Sequence, residues 1–313
     1  LKWYFNKDAF NQVIYFKKIN HLRRMTMNFH GILVPLVTPF NSDKSLDVET
    51  LKQLTNRFID KGVAGLVVCG TTGEYYTLNE AERETVLKTV AEVAKGRVTL
   101  IAGINDLSTE GAVNRAKQAK ELGYEGLMLS PTPYSLPDQN GVIAHYETVA
   151  SATDLPIIMY NFPARIGIEI EYDTVVHLAK NPNIVAIKES SGDFSRALRL
   201  LQTPFENFEV ICGCDDQPVD FFFWGSKSWI AGAGNVFPEE QVAMFNAAQA
   251  GDWDKAKQIM REIYPAIQSM ESGNYNQKAK LGCLKGEINV GTVRLPLSDL
   301  SEEEKAEFLA FFK

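Results

Sequence analysis

From Gly31 onward, short runs rich in β-branched residues alternate with longer amphipathic stretches. This alternation constrains the fold more than any other feature, because it is typical of repeated strand-helix units that build a parallel sheet. Predicted helices over residues 78–95 and 108–122 are followed by glycines, which commonly end helices. The eight predicted strands cover residues 32–37, 65–69, 98–102, 126–129, 156–160, 184–188, 209–212 and 228–231.

Eight such units in about 220 residues have the size of a (β/α)8 TIM barrel, which is an α/β fold. A doubly wound open sheet is the alternative. It usually shows a Gly-x-Gly-x-x-Gly turn after its first strand, where this chain has Pro35 and Pro39. We therefore predict a barrel over residues 31–235 and a C-terminal helical region over 236–313 packed on it. The extra helices of that region are predicted over 242–270, 277–285 and 301–312.

Residues 1–30 differ in charge from the rest of the chain. They carry six lysines and arginines against one acid, Asp8, so their net charge is +5 and the remainder carries −12 of the total of −7. We expect an extension outside the fold, and favour an upstream extension or cloning artefact over an organelle transit peptide. The stretch lacks serine, and Met25 and Met27 lie just before the regular pattern. The acidic remainder argues against a nucleic-acid partner.

Composition narrows the class of protein further. No apolar stretch reaches the roughly 18 residues that span a bilayer, so no membrane partner is expected. The four cysteines do not resemble a disulfide framework, and Cys212-x-Cys214 lacks a second pair for zinc. We therefore expect a reducing, cytoplasmic setting. Only four histidines exist, and His30, His145 and His177 do not lie beside clustered carboxylates, so no metal site is predicted.

Polar residues follow the predicted strands where a barrel enzyme needs them, at the carboxyl ends. Lys188 closes the sixth strand in the same layer. Four other strands are followed by the motifs Gly70-Thr71-Thr72-Gly73-Glu74, Ser130-Pro131-Thr132-Pro133-Tyr134, Asn161-Phe162-Pro163-Ala164-Arg165 and Cys214-Asp215-Asp216.

Lys188 lies where an apolar run meets a turn, which begins at Glu189. An ammonium group at the wall of a closed site loses hydration, so its pKa falls and the neutral amine is favoured. A neutral amine condenses with a ketone to form a Schiff base. The alternative is an ordinary surface lysine at a strand end, and the neighbouring residues must decide between the two.

Each neighbouring motif also has two interpretations. The loop 70–73 is either a tight turn only or a set of N–H and O–H donors for a small carboxylate. Tyr160 is either a core aromatic or a phenol that shuttles protons near an imine. Tyr134 is either a surface or interface anchor or a site residue. Arg165 either bridges loops or binds a carboxylate with two parallel hydrogen bonds.

Asp215 and Asp216 follow the seventh strand and precede a predicted helix. An aspartate at this position often caps the first turn of the helix by accepting from its backbone N–H groups. We predict this capping role in preference to a catalytic one.

Three motifs carry a family resemblance. They are Gly70-Thr71-Thr72-Gly73-Glu74, the run from Tyr160 to Gly167, and Ile187-Lys188-Glu189-Ser190-Ser191-Gly192-Asp193. The chain resembles the dihydrodipicolinate synthase / N-acetylneuraminate lyase family of class I pyruvate-dependent aldolases and lyases. The likeness runs in order from Gly31 to Arg294-Leu295-Pro296-Leu297 near the end.

The resemblance implies a (β/α)8 barrel that performs pyruvate chemistry without metal or cofactor, as a homotetramer or homodimer. It implies that Lys188 forms the imine and that Tyr160 relays protons. It further implies that Thr71 and Tyr134 complete a hydroxyl relay, with Tyr134 contributed by a neighbouring subunit. The substrate-binding residues that it implies are Gly70, Thr72, Arg165, Gly213 and Ile230, with Thr72 holding the ketoacid carboxylate and Arg165 that of the second substrate.

The substrates that the resemblance implies are pyruvate and aspartate semialdehyde, a small keto acid and an aldehyde. Leu107, Gly111 and Pro133 stand where lysine-inhibited synthases have polar or aromatic residues, so inhibition by lysine is not expected. Cys214 replaces a glycine that usually lines the synthase pocket.

Two phrases, 160–164 and 212–216, look more like the catabolic members of the family. Those members cleave or dehydrate 2-keto-3-deoxy sugar acids, or act on ketoacids of the hydroxyproline pathway. A metal-dependent barrel aldolase or isomerase and a catalytically silent ketoacid-binding protein are the alternatives from other classes.

Overall fold

The computed structural model describes residues 29–312. The predicted extension therefore lies, except for its last two residues, outside the described residues. Eight parallel strands close into a barrel in sequence order, which confirms the (β/α)8 prediction and excludes the open sheet. The strands are β1 (Gly31–Pro35), β2 (Gly65–Val68), β3 (Thr99–Gly103), β4 (Gly126–Leu129), β5 (Ile157–Asn161), β6 (Ile184–Glu189), β7 (Glu209–Cys212) and β8 (Ser228–Ile230).

Helices alternate with the strands around the barrel. Their ends follow local chemistry: Asn79 and Glu82 form a capping box at the start of one helix, and Gly96, with φ +72°, follows its end. The helices of the barrel are Val48–Asp60, Glu80–Ala94, Thr109–Glu121, Gln139–Ser151, Pro163–Ile166, Tyr172–Leu178, Phe194–Leu201 and Pro218–Phe223. Those after β8 are Pro238–Gln249, Trp253–Glu271, Tyr275–Gly282 and Glu302–Leu309, with short 3-10 turns at Gly232–Asn235, Cys283–Gly286 and Ala310–Phe312.

The single stretch predicted over 242–270 is in fact two helices, which pack against each other. The chain reverses between them at Gly251, whose φ of +77° is readily adopted only by glycine. Asp252 then starts the second helix by accepting a hydrogen bond from the backbone N–H of Lys255. A helical period continues across this break, so hydrophobic pattern alone did not reveal it.

The barrel is filled from inside by apolar side chains, and Tyr160 lies among them toward the carboxyl ends of the strands. A second and larger core lies between the barrel and its helices. No helix in the described part of the chain is long and apolar enough to cross a membrane. The inner cluster consists of Phe29, Leu33, Val67, Ile101, Met128, Ile158, Tyr160, Ala186, Ile211 and Ile230.

Candidate active site

Lys188 lies inside the barrel because side chains alternate along a strand. In β6 the side chain of Ala186 belongs to the inner cluster and that of Ile187 to the outer core, so Lys188 points inward again. Its side chain is buried, at 6% exposure. Burial lowers the pKa of Lys188 to about 8, against a smaller opposing effect of Asp215. A substantial fraction of the amine is therefore neutral near pH 7 to 8, as a nucleophile requires.

Tyr160 lies directly beside Lys188, since the two residues are paired in register between β5 and β6. The Lys188 Nζ atom is 4.3 Å from the centroid of the Tyr160 ring. Burial raises the pKa of Tyr160 above its usual range, while Arg165 and a hydrogen bond with the Thr71 side chain oppose this shift. The phenol therefore stays protonated and can donate to a group formed on Lys188.

Glu189 fixes the ends of these two strands. Its buried carboxylate accepts from the Asn161 side-chain amide at 3.0 and 3.1 Å and from the Ser191 backbone N–H at 2.8 Å. The Arg196 guanidinium completes the set with an ion pair at 2.9 Å. Since Asn161 lies in β5 and Arg196 in the helix Phe194–Leu201, these contacts fix the end of β6, and the neighbouring Lys188 is presented in a preorganised position.

The loop after β2 approaches the same point. Thr72 is buried, and the Thr71 carbonyl accepts from the Asn276 side-chain amide at 3.2 Å. The same amide donates to the Tyr76 hydroxyl at 3.1 Å. The helix Tyr275–Gly282 thus fixes the loop after β2, which carries Thr71 and Thr72.

These residues surround a cavity of about 550 Å³. That volume lies in the range of small-molecule sites, roughly 300–1,000 Å³. The cavity brings together six residues expected at the site: Lys188, Tyr160, Thr71, Thr72, Arg165 and Gly213. Its remaining wall is formed by Phe162, Ala164, Asp215, Gly232, Met270, Glu271, Gly273, Asn274, Tyr275 and Asn276.

Gly213 also lines the cavity, and its lack of a side chain is required there. A Cβ atom at this position would lie 2.0 Å from the Ser190 Oγ atom and 2.9 Å from the Lys188 Cγ atom. Any larger residue would therefore collide with the end of β6 and with the lysine side chain.

Four residues singled out from the sequence do not line this cavity. Gly70 is buried next to Thr71, and Ile230 belongs to the cluster of side chains that fills the barrel. Cys214 is half-buried at the end of β7. Tyr134 is 95% exposed in the loop after β4, so its side chain faces solvent and not the cavity of its own chain.

Arg165 reaches the cavity from the short helix Pro163–Ile166. Its guanidinium lies 5.7 Å from the centroid of the Phe162 ring. Within residues 29–312 it forms no ion pair with a carboxylate. An exposed guanidinium at the wall of a cavity is available to bind a substrate carboxylate.

The capping role predicted for Asp215 and Asp216 is wrong, because the helix Pro218–Phe223 has no side-chain cap. Asp215 is fully buried and accepts four hydrogen bonds. The donors are Trp229 Nε1 at 3.2 Å, the backbone N–H groups of Gly232 at 3.1 Å and Ala233 at 2.8 Å, and the Tyr275 hydroxyl. The aspartate therefore ties the turn after β8 to the C-terminal helices.

Glu271, Tyr275 and Asn276 line the cavity but were not expected there from the sequence. They lie where the helix Trp253–Glu271 ends and the helix Tyr275–Gly282 begins. The available signal was the short gap between two predicted helices, 271–276, which has the length of a loop that faces a site. Among the described residues, no group of three or more His, Cys, Asp or Glu side chains is placed to hold a metal ion.

Comparison with known proteins agrees with this geometry. The 4-hydroxy-tetrahydrodipicolinate synthase of Exiguobacterium sibiricum is 38% identical over 281 residues, which are 90% of this chain and 96% of the relative. The enzyme of the same name from Methanoculleus marisnigri is 37% identical over 277 residues, covering 88% and 95%.

Solved structures of the same enzyme share this fold. Dihydrodipicolinate synthase from Bacillus anthracis superposes with a TM-score of 0.88 at 32% identity, covering 92% of this chain and 98% of that one. The enzyme from Aquifex aeolicus gives a TM-score of 0.86 at 34% identity, covering 90% and 96%. The sequence model of the Dihydrodipicolinate synthetase family matches residues 28–313. The chain belongs to the dihydrodipicolinate synthetase family.

Proposed function

We propose that the chain is a lyase that condenses pyruvate with aspartate semialdehyde, as a 4-hydroxy-tetrahydrodipicolinate synthase. The observation that carries this proposal is the buried amine of Lys188 beside the protonated phenol of Tyr160, inside a cavity that also presents Thr72 and Arg165. An amine nucleophile with an adjacent proton donor is the equipment of Schiff-base chemistry.

The product named for the relatives agrees with these two substrates. It is a six-membered nitrogen ring with two carboxylates and a hydroxyl. Disconnecting its carbon–nitrogen double bond and the carbon–carbon bond next to its hydroxyl leaves pyruvate and an amino acid that bears an aldehyde. The cavity offers one residue to each substrate carboxylate: Thr72 to that of pyruvate and Arg165 to that of the amino acid.

The reaction begins when the neutral Lys188 amine attacks the ketone carbon of pyruvate and water leaves, which gives a protonated imine. The imine withdraws electrons, so the methyl carbon loses a proton and becomes an enamine. The enamine carbon attacks the aldehyde carbon, and the aldehyde oxygen takes up a proton. The ammonium group of the second substrate then loses a proton and, as a free amine, attacks the imine carbon. A proton moves to the Lys188 nitrogen and its bond to that carbon breaks, which leaves the ring closed and releases the lysine.

Tyr160 is the group that supplies and removes protons at the imine and at the new hydroxyl, because it lies beside Lys188 and stays protonated at rest. We assign Thr71 to the same relay, since its side chain interacts with the phenol. We assign Thr72 to the pyruvate carboxylate. The carbon–carbon chemistry needs no dissociable cofactor, because the imine itself is the electron sink.

We further propose a homodimer or homotetramer in which Tyr134 reaches the cavity of a neighbouring subunit. The support is its 95% exposed ring beside exposed Leu136 and near the level of the active-site loops. Light scattering coupled to size exclusion tests this assembly, and Tyr134→Arg is expected to reduce both assembly and turnover. Four free cysteines support a reducing, cytoplasmic setting.

Borohydride reduction in the presence of pyruvate tests the proposed chemistry. We expect a single pyruvyl adduct that peptide mass analysis places on Lys188 and that is absent from Lys188→Ala. Trapping on another lysine, or none in the folded protein, would refute the imine assignment. Turnover of the pyruvate-loaded enzyme with aspartate semialdehyde, set against a panel of sugar-derived ketoacids, then tests the second substrate.

A further inference from the structure

Glu271 is a charged residue of the cavity with no role in the imine chemistry. It ends the helix Trp253–Glu271, and its side chain lines the same cavity as Lys188 and Arg165. Within residues 29–312 its carboxylate has no hydrogen bond and no ion pair. A carboxylate without a partner at a substrate cavity is available to a cationic group of a ligand.

The other acidic residue of the cavity wall cannot serve the same purpose. Both oxygens of Asp215 are occupied by the hydrogen bonds that tie the turn after β8 to Tyr275. Asp216 is exposed and does not line the cavity. Glu271 is therefore the carboxylate at this wall, among the described residues, that retains its full capacity to accept.

Its place on the helix makes the local potential more negative. The last carbonyl groups of a helix carry a partial negative charge, which favours a cation near them and disfavours an anion. The last turn before Glu271 contains no basic residue to compensate. An incoming cation would thus find both the carboxylate and the helix end favourable.

Arg165 supplies the opposite charge on the same cavity. Among residues 29–312 neither group forms an ion pair, with the other or with any further side chain. We propose that Glu271 and Arg165 together bind the α-amino-acid head group of the second substrate, Glu271 its ammonium and Arg165 its carboxylate. This inference rests on the proposed function and deepens it, because it makes the enzyme selective for aldehydes that carry an amino group.

The protonation of Glu271 agrees with this role. The surrounding protein wall, and then the carboxylates of Asp215 and Asp216, raise the pKa of Glu271 to about 7, against the opposing effects of Lys188 and Arg165. A bound ammonium stabilises the ionised form and lowers this pKa again. The ionised form of Glu271 is thus unfavourable in the empty site, and the positive charge of a bound substrate compensates it.

Two aldehydes that differ only in the amino group test the proposal. Aspartate semialdehyde is the substrate, and succinic semialdehyde, which lacks the amino group, is used as a competitor. We expect Glu271→Gln to raise KM for aspartate semialdehyde by about tenfold to hundredfold, the range of one charge-assisted contact. The inhibition constant of succinic semialdehyde should stay within about threefold of its original value, because that molecule has no ammonium to lose.

The matched control is Glu262→Gln on the same helix, where the carboxylate contacts Gln258 and lies outside the cavity wall. It removes the same charge and should leave both constants unaltered. If Glu271→Gln changes both constants by the same factor, or changes neither, the ammonium role is wrong. If the unaltered enzyme fails to condense pyruvate with aspartate semialdehyde, the proposed function itself fails.

Discussion

A buried ion pair between Glu74 and Lys280 joins the active-site loop to the C-terminal helices. The Lys280 Nζ atom lies 2.6 Å from the Glu74 Oε1 atom, with side-chain exposures of 1% and 0%. Lys280 also donates to the Thr292 carbonyl at 2.9 Å and lies 4.0 Å from the centroid of the Phe40 ring. Glu74 accepts from the Arg294 backbone N–H at 3.0 Å. Removing the lysine would leave a carboxylate buried without its cation.

We expect Lys280→Met to lower the free energy of unfolding by about 3–5 kcal/mol, the usual cost of breaking a fully buried pair. Methionine fills similar space and keeps a favourable contact with the Phe40 ring, so the loss reports mainly on the stranded charge of Glu74. Combining it with Glu74→Gln removes both charges and keeps an acceptor for Arg294. The double variant should return to within about 1–2 kcal/mol of the original protein.

Urea unfolding followed by both fluorescence and circular dichroism measures these differences, provided that the two transitions coincide. Lys278→Met is the matched control, since Lys278 on the same helix donates to the Ser269 carbonyl and has no carboxylate partner in the described region. The reasoning is refuted if Lys280→Met costs less than about 1 kcal/mol, or if the double variant is as unstable as the single one.

Four further predictions concern catalysis and its inhibition. The initial rate of imine formation, measured by rapid quench and mass spectrometry, should rise about tenfold per pH unit and level off above pH 8, because burial lowers the pKa of Lys188 to about 8. A rate independent of pH between 6 and 8 would contradict this. Tyr160→Phe should still trap pyruvate but lower kcat by roughly 10²–10⁴, since only the proton donor is lost; an unchanged kcat removes Tyr160 from the relay. Arg165→Ala should raise KM for aspartate semialdehyde more than KM for pyruvate in steady-state assays, and a variant that cannot trap pyruvate at all would contradict the assignment. Added lysine at millimolar concentration should not inhibit turnover, because Leu107, Gly111 and Pro133 stand where lysine-inhibited synthases have polar or aromatic residues. A saturable inhibition curve would contradict this prediction and show that lysine binds at another site.

The barrel could be predicted from the sequence because each strand is specified locally. All eight predicted strands are confirmed within two residues, since every unit carries its own short apolar run and its own helix. The inward position of Lys188 also follows from local rules, given the period of two along a strand. The meeting of Lys188, Tyr160 and Thr72 at one cavity then follows from the closure of the barrel.

The part of the cavity wall formed by residues 271–276 could not be predicted in this way, because its contacts join distant parts of the chain. The Asn276 amide meets the Thr71 carbonyl across 205 residues of sequence, and the Tyr275 hydroxyl meets Asp215 across 60. No periodicity determines how a helix after the eighth strand packs over the barrel mouth. The capping role expected for Asp215 failed for the same reason, since its true partners lie in the next strand and beyond it.

The difference between local and distant contacts also affects which residues determine the selectivity for the aldehyde substrate. Lys188 and Tyr160 are paired in register inside the barrel, so a change at either one alters the inner core as well as the chemistry. Glu271 lies instead at the end of a helix that packs mainly against neighbouring helices. Exchanging its side chain therefore alters the charge offered to the second substrate at little cost in stability. We infer that selectivity for the aldehyde can vary at residues 271–276 while imine formation on Lys188 stays intact.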